Sequence, residues 1–382
     1  MGGWWYDLAV LRRGIQAGPV QGAAREMVED EVADCAQTRV LYVGDFSASR
    51  VGNHSVAEDL AVRMAESGLD VATTSEQRRR GFRVGDMLVS TLRLRGRVDV
   101  GIVDVFSGRA FLWAEAVAGL LRGRGVPYVL VLHGGGLPSF ASRAPRRVAR
   151  LLRSAARVVA PSDYLAQQMA PYMQRCEVIP NPIDIGGYEF RRRMHARPRL
   201  IWLRTFEGTY NPFLAVRVLA RLVPDLPDVT LTMIGGGAGS ATFARTRQLA
   251  EELGVLDRVD FPGPVAKRDV PQRLQTGDIL LNTPRVDNVP VSVLEAMACG
   301  LCIVSTAVGG IPYLLRDGDD ALLVPGDDSG AMADAVMRCV SDPALSAKLS
   351  LGGRRRAEAF DWGTVLPRWM ELVGEIVEGE TE

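Results

Sequence analysis

From Arg39 onward the chain alternates short apolar, β-branched runs with segments of helical periodicity, and few architectures accommodate that rhythm. The strand-like run RVLYVGDF is followed by a loop holding Gly52 and Asn53, then by the helix-like SVAEDLAVRMAESG and a second strand-like run, DVATTS. VDVGIVDV and YVLVLHGG continue the series, and after an Arg-rich connector near residues 191–199 the alternation starts again at Leu200. Short strands and helices in succession predict parallel sheets with helices on both faces. A length of 382 residues is more than one core needs and suits two. The expected class is therefore α/β. In open parallel sheets ligands bind beyond the carboxyl ends of the strands, so two facing domains predict a cleft lined by the loops that follow them.

The stretch DNVPVSVLEAMACGLCIVSTAVGGIP, residues 287–312, carries the most chemistry. Asp287 and Asn288 supply cap-type side chains, Pro290 suits a first turn, and Val291 to Ala298 are good helix formers ended by Gly300. The start of such a helix attracts anions through its free N–H groups and dipole, here those of Val291 and Ser292. Glu295 lies one turn deeper and could reach a group lying along the helix start. CIVSTAV reads as a buried strand, and Gly309 and Gly310 as a turn whose bare backbone admits close approach. Taken alone, the segment is equally a capped helix with a solvated glutamate. His133, before three glycines, reads alone as a loop histidine bonded to backbone.

With its neighbours, the segment resembles the donor-binding signature of the retaining glycosyltransferases of GT-B architecture, the large family-4 type. That signature runs Glu, seven residues, Glu, then AMACG, a strand and GGIP; here Asp287 stands at the first acid. Other landmarks follow in family order: LHGGG around His133, VVAPSDYL, VIPNPID, Arg204 in LIWLRTFEGTYNP, LTMIGGG, VDFPG and AFDW. The resemblance covers residues 39–378. It implies two Rossmann-like domains facing across a cleft: an extension at 1–37, an acceptor-side domain at 38–195, a donor domain at 196–360 and, at 361–382, a helix returning to the first domain.

The resemblance implies transfer of a glycosyl group from a nucleotide-diphosphate sugar to a glycan or lipid-linked acceptor, with retention, in cell-surface polysaccharide or glycoconjugate biosynthesis. The implied catalytic set is His133, Arg204 and Asp287. The implied donor-binding set is Gly52, Lys267, Asn288, Val289, Val291, Ser292, Glu295, Gly309 and Gly310. Glu295 would hold ribose, Asp287 with the backbone near Asn288 would orient the sugar, and Arg204 would neutralise diphosphate charge. The family places a lysine a few residues after that arginine, at Thr209 in this chain. No DxD cluster marks a metal site, because Asp319–Asp320 and Asp327–Asp328 read as solvated turns; no cofactor or metal is expected. A catalytically silent nucleotide-sugar binder remains the alternative.

Composition is compatible with these expectations. Positive and negative side chains balance at 45 each, which gives no reason to expect a nucleic-acid partner. No apolar run approaches the roughly 20 residues of a membrane span, and no secretory signal is legible at the start, so the expected location is cytoplasmic. The arginine-rich segment RAPRRVARLLRSAARV reads as a surface helix, or as a peripheral contact with an anionic membrane at its inner face. Five scattered cysteines are expected reduced, Cys299 and Cys302 included. A nicotinamide dehydrogenase is disfavoured because Gly235–Ser240 puts serine at the third glycine of the dinucleotide fingerprint.

Overall fold

The computed structural model describes residues 38–44, 56–74 and 98–379. The expectations placed on residues 1–37 and on Gly52 lie outside them.

Among the described residues twelve strands form two six-stranded sheets, and every strand pair is parallel. The first sheet contains β1 (Arg39–Val43), β2 (Asp70–Thr74), β3 (Val100–Val105), β4 (Tyr128–Leu132), β5 (Arg157–Ala160) and β6 (Glu177–Val178), in the order β2-β1-β3-β4-β5-β6. The second contains β7 (Arg199–Leu203), β8 (Thr230–Ile234), β9 (Val259–Gly263), β10 (Ile279–Asn282), β11 (Cys302–Thr306) and β12 (Leu322–Val324), in the order β12-β11-β10-β7-β8-β9. This is the GT-B architecture. Strand order reverses between β1 and β3 in one sheet and between β7 and β10 in the other. At such switch points the following loops diverge to opposite faces and leave a crevice at the carboxyl ends.

Alternation along each strand builds a core on both faces. Leu41 and Val43 join one cluster, with the helix Phe111–Gly123, while Val40 and Tyr42 join another. That second cluster is completed from the far end of the chain. The helix Trp362–Glu378 sends Trp362, Val365, Trp369, Leu372, Val373 and Ile376 against Val40, Val100 and Ile102. At about 1.5–3 kcal/mol per buried side chain, an upper bound for a compact unfolded chain, this face contributes on the order of 10 kcal/mol to the first domain.

The chain crosses between the sheets twice, and the crossings touch. Ile183 N–H donates to Phe360 O at 2.9 Å and Ile185 N–H to an Asp361 carboxylate oxygen at 3.1 Å. The Arg-rich connector converges on one buried carboxylate: Asp278 accepts from Arg191, Arg193 and Arg199. Burial, with Arg191 beside it, pushes the Arg193 guanidinium down to about 10.

Of the two aspartate pairs expected in solvated turns, Asp319, Asp327 and Asp328 are exposed, and Asp320 departs from that expectation. Asp320 is buried, accepting from Arg316 N–H at 2.7 Å and pairing with Arg356. Asp327 holds Asn211 and Arg285, and Asp328 caps the helix Ser329–Ser341. Cys299 closes one helix and Cys302 opens β11; both are free thiols. No described helix is long and apolar enough to cross a membrane.

Candidate functional site

A cavity of about 500 Å³ opens between the carboxyl ends of the two sheets. From the first domain come His133 and the three glycines after it, Ser139, Pro161 and Asn181; from the second come Thr209, Tyr210 and residues 286–289.

Arg204 follows β7 directly, and its N–H continues the ladder to Ile234 O at 3.0 Å. A Cβ on Gly235 would lie 1.7 Å from Arg204 O, so the first glycine of LTMIGGG is there to let two backbones pass. The Arg204 guanidinium donates to the Asp287 carboxylate, and its carbon sits 4.8 Å from the centre of the Tyr210 ring. The two side chains of this pair are only 16% and 14% exposed. The Nε–H of Arg204 is buried with no partner among the described residues, a cost of about 1–3 kcal/mol that a fold dispensing with the site would remove.

The helix Val291–Ala298 forms where the sequence predicts it, yet Asp287 and Asn288 do not cap it. Its N-cap is Pro290, with no side-chain cap. Asp287 lies three residues before that cap, and its carboxylate accepts instead from Asn288 N–H at 2.9 Å. The first helical bonds come from Val293 and Leu294, both to Pro290 O, which leaves the N–H groups of Val291 and Ser292 without a carbonyl of the helix itself.

Gly309 and Gly310 serve that same loop. A Cβ on Gly309 would meet Asp287 O at 2.2 Å and one on Gly310 would meet Asn288 O at 2.6 Å, while Gly310 N–H donates to Asp287 O at 2.9 Å. Neither glycine lines the cavity. Their bare backbone admits the loop that carries the acid, where close approach to a ligand had been expected.

Glu295 is 6% exposed and lies behind the cavity lining. Its carboxylate accepts from the hydroxyl of Tyr188, just before the Arg-rich connector, at 2.8 Å. Burial raises the Glu295 carboxyl above the usual range, against the opposing pull of that hydrogen bond, Lys267 and Arg204. Lys267 reaches across to Asp59 of the first domain at 3.4 Å and does not line the cavity. Asn288 and Val289 do line it, and Asn288 accepts from Ser162 across the domain boundary.

On the opposite wall His133 directly follows β4, stacked on Phe106 at 4.7 Å between ring centres. Its Nε2 lies 2.9 Å from Asp104 Oδ1, so its partner is a carboxylate where the bland reading expected backbone. Sequence reasoning passed over Asp104, Phe106, Tyr188 and Tyr210. Asp104 had a signal, an acid inside the otherwise apolar run GIVDV at the carboxyl end of a buried strand. The three aromatic residues had none, because their roles depend on which loops the fold brings together. Among the described residues, no group of three or more His, Cys, Asp or Glu is placed to hold a metal ion.

The architecture and this site, on strand ends facing across two Rossmann-like domains, define the GT-B class, and comparison with known proteins narrows it. The family described as "Glycosyl transferases group 1" matches residues 191–356, and "Glycosyltransferase Family 4" matches residues 54–186. The D-inositol 3-phosphate glycosyltransferase of Actinosynnema mirum is 30% identical over 315 residues, covering 74% of this chain and 75% of that protein. That of Mycolicibacterium vanbaalenii is 29% identical over 237 residues, 56% of this chain and 51% of that protein; the chain spans about half the length of the first curated relatives it matches. The chain belongs to this glycosyltransferase family. Among solved structures, sucrose-phosphate synthase from Thermosynechococcus elongatus superposes with a TM-score of 0.74 at 16% identity, covering 90% of this chain and all of that one. Anabaena HepE in complex with UDP and glucose gives 0.70 at 18%, covering 88% of this chain and all of that one. At those identities they bear on the fold alone.

Proposed function

We propose that this protein transfers a glycosyl group from a nucleotide-diphosphate sugar to a glycan or lipid-linked acceptor, with retention of anomeric configuration, in cell-surface polysaccharide or glycoconjugate biosynthesis. The observation that carries the reading is a cavity in which Asp287, paired with Arg204, faces His133 across the domain boundary. A diphosphate seated beside Arg204 would draw its guanidinium from Asp287 and release that carboxylate to accept from sugar hydroxyls. The N–H groups of Val291 and Ser292 would add donors for phosphate oxygens. Glu295 would take ribose hydroxyls in place of the Tyr188 hydroxyl. Catalysis would rest on positioning and on stabilising the leaving diphosphate, with the acceptor entering from the His133 side. No cofactor or metal enters the proposal, and its setting is the cytoplasm, with peripheral membrane contact.

HepE is recorded with UDP and with UDP-glucose, so UDP-sugars head the donor panel. D-inositol 3-phosphate, named for the relatives, joins glycan and lipid-linked acceptors. A donor at one hundred times its dissociation constant should stabilise the fold by about 2.7 kcal/mol, read as a rise in melting temperature. Turnover with that donor, and the product's anomeric coupling by NMR, test the rest; an inverted product would remove retention. The second reading, a binder without turnover, draws on Thr209 lining the cavity where the resemblance puts lysine. Stabilisation by a donor that no acceptor consumes would favour it.

A further inference from the structure

We propose that Asp104 is a positioning residue of this site, fixing His133 with its proton on Nε2 so that Nδ1 meets the substrate as a hydrogen-bond acceptor. The inference rests on the transferase reading for its substrate, a sugar hydroxyl, and on geometry for the rest.

Asp104 is 2% exposed in a strand whose other residues are all buried and, but for one glycine, apolar. A carboxylate at such a place needs donors. Among the described residues it has two, on one oxygen: the hydroxyl of Tyr42 at 3.3 Å, from the neighbouring strand β1, and Nε2 of His133 at 2.9 Å, just past β4 on the other side. The Tyr42 hydroxyl is held as a donor, since burial and the adjacent carboxylate both push its ionisation well up. A carboxylate can only accept, so the 2.9 Å contact is a hydrogen bond only when Nε2 carries the hydrogen. In the neutral ring the lone pair is then on Nδ1. The stacked Phe106 ring removes the remaining freedom, restraining rotation of the imidazole about its axis. His133 lines the cavity and Asp104 does not, so what a ligand meets is an imidazole whose tautomer was set one layer below.

That arrangement gives the wall a polarity. With the proton on Nδ1, His133 would offer a donor to the cavity and compete for phosphate oxygens with Arg204; with the proton on Nε2 it accepts from a hydroxyl and leaves the anion to the opposite wall.

The chain has three histidines, so ¹⁵N-histidine labelling gives a short spectrum in which loss of a signal in His133→Gln assigns that ring. In the unliganded protein at pH 8, Nε2 should show the protonated shift and Nδ1 the lone-pair shift. Asp104→Asn, whose amide can turn either face to the ring, should lose that preference. Its kcat should fall about 100-fold while the donor KM changes by less than about threefold. Adding His133→Gln should cost little more, because the two act as a unit. A wild-type ring protonated on Nδ1 would overturn the proposal, and so would an Asp104→Asn variant with near-native kcat. Should Asp104→Asn fail to fold, the wild-type spectrum still decides. The tautomer is read without substrate, so a chain that transfers no sugar would leave it standing, and a wrong tautomer would leave the transferase reading standing.

Discussion

On the proposed reading, Glu295 would set stability against binding. Its carboxyl is buried and held above the usual carboxylate range, so the folded protein binds this proton more tightly than the unfolded chain does. Its contribution is therefore fully present below the ordinary carboxylate value and is lost as pH rises through the raised one. Glu295→Gln keeps an acceptor for Tyr188 and removes the buried charge, so the unliganded variant should melt about 1–3 °C higher at pH 7 and lose that segment of the pH slope. Nucleotide affinity should fall roughly tenfold to a hundredfold, the size of a charge-assisted bond to ribose. Calorimetry with the donor's free nucleotide checks both halves; unchanged affinity would remove the ribose role. On the proposed reading, Arg204→Ala should cost about a hundredfold to a thousandfold in turnover, because Thr209 stands where the resemblance puts a second cation and Arg204 would carry the leaving group. Thr209 already lines the cavity and its carbonyl is fixed by Arg285 N–H at 2.8 Å, so Thr209→Lys should recover part of that loss. Near-native kcat in Arg204→Ala would place the diphosphate clamp elsewhere, with Lys267 the first residue to examine.

At the scale of elements, the arginine-rich segment divides cleanly. The helix Pro145–Leu152 buries Val148, Leu151 and Leu152 in the first domain's core, so its apolar face has no free surface to insert into lipid. Arg147 is bound to Glu115 and lies over Phe111, while Arg146, Arg150 and Arg153 face solvent. Any membrane contact by this helix is then electrostatic. Co-sedimentation with anionic vesicles should fall steeply between about 0.05 and 0.5 M salt as the Debye length shrinks, and neutral vesicles should bind nothing. Binding to neutral vesicles, or to neither kind, would remove the contact. The helix Val291–Ala298 teaches a different lesson. Composition and Gly300 marked its extent, but cap-type side chains before it proved to serve a loop, since a proline in extended conformation took the cap position.

Across the whole molecule, the helix Trp362–Glu378 makes the first domain's stability depend on residues that follow the second. Trp369→Ala should destabilise that domain by about 3–5 kcal/mol, measured by urea denaturation, though Trp369 lies almost two hundred positions beyond its last strand. A loss below about 1 kcal/mol would show the helix to be peripheral. The sequence by itself determined the α/β alternation, the parallel sheets, the helix at 291–298 and the family, because these depend on local periodicity and on residues in fixed order along the chain. It also marked His133, Arg204 and Asp287, which stand at strand ends or beside a glycine-rich turn. Only the tertiary structure decided what each one touches. That Asp287 would pair with Arg204, that Gly309 would admit the Asp287 loop, that Tyr188 would reach Glu295 and that Asp104 would lie beneath His133 all depend on segments far apart in sequence being brought together by the fold. Backbone periodicity is a local property of the chain, whereas these meetings are set by which strands lie side by side in each sheet and by how the connecting segments pack, and no spacing along the chain encodes that.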